Sequence, residues 1–139
     1  MVIADMEAGI EHLSWAGGTL KHVDLLMVVT EPKAKSMLTA RRTHRLARDL
    51  GIARIAFIGN SVRPGDEGAL DDFANELDAE VLAMIPLEEA FRRADQAGRC
   101  SLDAAPEAAG VRAIEELAFE LERRFLGGRP GGPVPRATT

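Results

Sequence analysis

The chain predicts an α/β protein built on a parallel sheet. Short, continuously apolar runs alternate with longer segments of helical periodicity, and each run closes on residues suited to a loop. Runs lacking polar alternation are the mark of strands buried on both faces, and strand–helix alternation is the mark of βαβ units. Right-handed crossovers then bring the carboxyl ends of the strands, and any site built on them, to one edge.

Four strands are predicted, over residues 2–4, 25–29, 54–58 and 81–85. They run out at Asp5, at Thr30-Glu31-Pro32, at Gly59-Asn60 and at Pro86. The first predicted helix covers 33–50, with Met37, Leu38, Leu46, Ala47 and Leu50 on one side and Gly51 at the C-cap position. A second covers 67–77 after the turn Arg63-Pro64-Gly65-Asp66, presenting Leu70, Phe73, Ala74 and Leu77. A third runs over 87–97 and stops before Gly98. A fourth, over 106–125, places Val111, Ile114, Leu117, Leu121 and Phe125 in one stripe that should dock on the domain.

Composition narrows the function. The 139 residues suit one domain, expected over 1–126, followed by a Gly/Pro-rich tail over 127–139 that cannot bury surface and is expected to be disordered. Seventeen basic against 22 acidic residues leave a net charge of −5, which argues against a general nucleic-acid binder. Cys100 is the only cysteine, so neither an internal disulfide nor a cysteine metal cage can form within one chain, in keeping with a reducing, cytoplasmic setting. No apolar run reaches the roughly 20 residues of a membrane span.

Several residues could carry chemistry. Asp5, at the end of a predicted strand, could orient a water on Mg²⁺, or it could simply be a loop or capping acid. Asn60 could donate to and accept from one base edge, adenine above all, but Gly-Asn-Ser is also an ordinary turn. Pro86, Leu87 and Glu88 could flank a flat ring, and Pro before a helix is equally a plain start signal. Arg41, Arg45 and Arg48 share a helix face that suits an acidic partner or, more simply, solvent. His12, His22 and His44 lack metal-ligand spacing, and Cys100 reads better as a small core residue than as a nucleophile. A phosphate cradle of the form G-x-x-x-x-G-K-[ST] is absent: the lysines are Lys21, Lys33 and Lys35, and none follows a glycine.

On these residues the chain resembles the carboxyl-terminal half of MinD/ParA-type P-loop ATPases, in particular the CooC-type ATPases that insert nickel into carbon monoxide dehydrogenase. "ADMEAGIEHL" resembles their switch II, which implies Asp5 near Mg²⁺ and Gly9 as the mobile switch glycine. "VDLLMVVTEPKAKSMLTARRTHRLARDLGI" resembles the next strand and helix, and "IGNSV" the adenine-recognition turn, which implies Asn60 on the base. "AMIPLEEAFRRADQAGRCSLD" resembles the loop that closes over the adenine, with Pro86, Leu87 and Glu88 as contacts, and "AGVRAIEELAFEL" the terminal helix.

The resemblance implies an incomplete P-loop NTPase fold that lacks the N-terminal P-loop βα unit. It further implies ATP or ADP with Mg²⁺ as cofactors, a homodimer or a paralogous ATPase as partner, and a metalloenzyme client. The family's phosphate loop, switch I aspartate and metal-binding cysteine pair all precede switch II, and Cys100 does not correspond to that pair. The expectation is therefore a chain that starts halfway through an ATPase, as a truncated, mis-started or split gene product, and does not hydrolyse ATP alone. An interaction partner of a full-length paralogue is the second reading. A receiver-like domain with Asp5 as phosphoacceptor is a third, disfavoured because no lysine follows Ile58 or Ile85. In the family the P-loop strand lies between the strand over 2–4 and that over 25–29, so those two are expected not to pair.

Overall fold

The computed structural model describes residues 2–6 and 22–126; Gly9, His12 and the tail lie outside the described residues. Eight elements follow in order: β1 (Leu26–Thr30), α1 (Ala34–Asp49), β2 (Ile55–Val62), α2 (Glu67–Glu76), β3 (Glu80–Pro86), α3 (Glu89–Gln96), α4 (Ser101–Ala104) and α5 (Ala109–Phe125). The strands form one parallel sheet in the order β1-β2-β3, with Val28 opposite Phe57 and Phe57 opposite Val81.

Phe57 organises the core. It is fully buried among Val28, Ala40, Phe73 and Ala74, with its ring 5.1 Å from that of Phe73 and tilted by 59°. Tilted aromatic pairs at this separation place the positive edge of one ring toward the negative face of the other. Helices α1 and α2 thus cover the sheet face that carries Val28 and Phe57. Side chains alternate along a strand, so Val29 points to the other face, where it is 62% exposed. Helix α5 packs against β3 and buries Gly110, Val111 and Leu121.

Helix α1 ends as its glycine demands. Gly51 has φ of +83°, its N–H reaches the Arg48 carbonyl at 2.9 Å, and Ile52 N–H reaches that of Ala47 at 3.0 Å.

Several sequence expectations need correction. Residues 2–4 form no strand: Val2 is 94% exposed, because no neighbouring strand among the described residues offers them a ladder. Leu38 and Ile114 are exposed, so the buried face of α1 runs through Ala40, His44 and Ala47 instead. Cys100 is exposed, sitting at the start of a short helix that the pattern did not reveal. Strand β2 continues through Gly59 and Asn60 to Val62, because β3 runs alongside long enough to keep pairing with it. No described helix is long and apolar enough to cross a membrane.

Candidate nucleotide site at the carboxyl edge of the sheet

The edge is shaped by an irregularity in β2. Gly59 pairs with Met84 and Val62 with Pro86, so three steps on β2 match two on β3. The extra residue makes a bulge over Asn60 and Ser61, and Ser61 takes a positive φ of 55°. Bulges re-aim side chains and recur beside functional sites. Beyond it, Leu87 N–H donates to the Val62 carbonyl at 2.9 Å, so the β3 loop stays fastened to the bulged strand. The structure thereby brings Asn60, Pro86, Leu87 and Glu88 to one edge.

Gly59 sits tightly beneath α2. A Cβ there would stand 2.7 Å from Leu70 Cδ1 and 3.0 Å from Val62 Cγ2, so those buried side chains would have to shift. Asn60 is half-buried, and its amide makes no hydrogen bond to another described residue. No described residue occupies its donors and acceptor, a set that suits one base edge. Leu87 is 53% exposed and, with Pro86, offers apolar surface suited to a flat ring.

Glu88 is differently employed. Its two carboxylate oxygens accept the backbone N–H groups of Ala109 and Gly110, each at 3.0 Å. These are orphan donors in the first turn of α5, where a negative charge is favoured by the helix dipole. The loop after β3 is thus tied to α5 across 22 residues of sequence. Sequence reasoning picked out Glu88 for a ligand and did not find this cap. The available signal was a carboxylate followed much later by Ala-Ala-Gly at a helix start, which has no fixed spacing to search for.

A cleft of about 390 Å³ opens beside the same edge at the end of β1, lined by Val29, Thr30, Lys33, Lys35, Ser36 and Thr39 among others. Thr30 is buried and donates its hydroxyl to the Glu31 carbonyl at 3.3 Å, while Lys33 pairs with Glu31 at 2.5 Å.

Asp5 stands apart from this group. It is exposed, and its neighbour Met6 packs against Ala47 and Ile52, which lie at the amino ends of the strands. That is the opposite edge of the sheet from Asn60. Among the described residues no group of three or more His, Cys, Asp or Glu could hold a metal ion. Among the described residues, Asn60, Pro86 and Leu87 share this edge and Asp5 does not join them.

No family model matches the chain. It is 44% identical over 123 residues to the carbon monoxide dehydrogenase accessory protein CooC of Rhodospirillum rubrum, covering 88% of this chain and 45% of that protein. It is 43% identical over 100 residues to the uncharacterized ATP-binding protein MJ0823 of Methanocaldococcus jannaschii, covering 71% of this chain and 38% of that one. The fold matches the MinD cell division protein of Aquifex aeolicus with a TM-score of 0.63 at 22% identity, over 83% of this chain and 48% of that one. MinD of Pyrococcus horikoshii, solved with Mg-ADP, matches with a TM-score of 0.60 at 22% identity, over 73% and 42% of the two chains. The chain spans less than half the length of these relatives. By sequence and by fold it is related to the MinD/ParA-type P-loop ATPases, matching a C-terminal portion of those proteins.

Proposed function

We propose that this chain supplies the adenine-recognising portion of a CooC-type ATPase that serves nickel-centre maturation in the cytoplasm. The observation that carries the reading is the pairing of Val62 with Pro86 across the bulge, which brings Asn60, its amide unbonded to any other described residue, to the same edge as the exposed Leu87 loop. Asn60 would read the exocyclic amine and a ring nitrogen of adenine, with Pro86 and Leu87 against the ring. Glu88 would act through the loop it anchors rather than by touching the base. Asp5 would keep its switch II role only where a phosphate-binding segment draws it to the carboxyl edge, and Gly9 would be the mobile glycine of the same switch.

The exposed Val29 face and the side of β1 that no described strand pairs with favour completion by such a segment. A full-length paralogous ATPase would provide it, whereas a homodimer of this chain would cover the same face without a phosphate cradle; the metalloenzyme client follows from the CooC likeness. The same face supports the second reading, a non-catalytic partner of a paralogue.

Titration with a fluorescent adenine nucleotide, with and without Mg²⁺, tests the proposal. Binding should be weak and Mg²⁺-independent in the isolated chain, and Asn60→Ala should weaken it roughly tenfold, the worth of one or two hydrogen bonds. Unchanged affinity in Asn60→Ala would remove the base-reading role. ATP turnover by the purified chain that disappears in Asp5→Asn would overturn the need for a second segment.

A further inference from the structure

A larger cleft, of about 590 Å³, lies at the opposite edge of the sheet, where Leu25 precedes β1 and Ile55 and Glu80 begin β2 and β3. Its lining is cationic in character: Arg48, Arg54 and Arg124 converge there, with His44 and Asn75 beside them. Three guanidinium groups face two carboxylates, Asp78 and Glu80.

The three arginines are not equivalent. Arg124 is committed, bonded to Glu80 at 2.7 Å and to Glu120 at 2.5 Å. Arg54 lies over the Phe125 ring at 5.7 Å, which holds its planar head in place without using its N–H donors. Neither Arg48 nor Arg54 forms an ion pair with another described residue. Asn75 adds an amide, and the wall at Asp78 turns on a positive φ of 51°. The volume falls within the range of small-molecule sites.

We infer that this cleft is a second binding site, separate from the nucleotide edge, that takes a small oxyanion-bearing molecule on Arg48 and Arg54. Forked guanidinium donors match carboxylate and phosphate oxygens in pairs, which is the chemistry both groups share. His44 is the built-in reporter. It is buried, lies 5.8 Å from the Phe57 ring, and lines the cleft; burial first, and the Arg48 charge second, hold its imidazole below the ordinary range. An anion seated on Arg48 offsets that charge and moves the His44 titration upward.

The test is an NMR titration of the His44 ring in the full chain with sodium phosphate and, separately, with sodium succinate, against sodium chloride at matched ionic strength. A saturable His44 shift with either oxyanion, absent with chloride, is expected, and the oxyanion that saturates first identifies the source. Arg48→Gln and Arg54→Gln should each weaken it by roughly tenfold or more, whereas Asn60→Ala should leave it unchanged. A shift that rises linearly, matches chloride, or survives both arginine substitutions in folded protein overturns the inference.

Discussion

Glu88 and Gly110 meet at the start of α5, the Glu88 Oε2 accepting the Gly110 N–H at 3.0 Å. The contact joins the loop after β3 to the terminal helix. Glycine is required there because a Cβ would come within 2.6 Å of the Phe91 ring and 3.2 Å of Glu88 itself. Gly110→Ala should therefore cost about 1–3 kcal/mol through overpacking. Glu88→Ala should cost about 1–2 kcal/mol through the lost cap, and also weaken nucleotide binding although it need not touch the base. Urea denaturation followed by circular dichroism, beside the nucleotide titration, checks both effects. A Glu88→Ala chain of unaltered stability would show that the cap contributes nothing.

Gly59 is the second tight spot. Leu70 Cδ1 would lie 2.7 Å from an added Cβ. Gly59→Ala should destabilise by about 1–3 kcal/mol, and the paired substitution Gly59→Ala with Leu70→Ala should recover less than the clash costs, since truncating a buried leucine itself costs about 2–5 kcal/mol. A double-mutant cycle by denaturant midpoint measures the coupling.

His44 predicts a dependence on mild acid. Burial first, and Arg48 second, lower its pKa from 6.5, so the unfolded chain binds a proton that the folded chain resists. Stability is unaffected by this group well above pH 6.5, then falls as the pH drops below that value, and levels off below the folded pKa. His44→Gln should flatten the slope in that window. A wild-type midpoint that stays constant from neutral pH to pH 5 would count against the burial of a neutral imidazole.

Glu120 acts lower on the scale. Bonds from Arg123 and then Arg124 bring its carboxyl from 4.5 down to about 2. The folded pKa is depressed, so its contribution is present above 4.5 and is lost as the pH falls toward about 2. Carboxyl carbon NMR should find Glu120 still ionised at pH 3. Arg123→Gln should raise its midpoint, since Arg123 is the largest cause.

The periodicities determined more of this protein than the chemistry did. The strands at β1, β2 and β3, the helices α1, α2, α3 and α5 and the Gly51 cap were all legible, because apolar spacing and glycine backbone freedom are local properties. The candidate site at the carboxyl edge was legible only as separate residues: Asn60 and Pro86 stood in turns of ambiguous meaning, and the Val62–Pro86 register is what joins them. Three matters were left to tertiary structure. Residues 2–4 are apolar enough for a strand, yet a strand exists only where another offers its ladder. Glu88 could be assigned to α5 only once β3 and α5 were packed together, since a hydrogen bond across 22 residues leaves no periodic trace. The arginine cleft likewise brings Arg124 of α5 to Arg48 and Arg54 around the α1–β2 turn, and proximity of that kind is fixed by how the segments pack, not by their spacing along the chain.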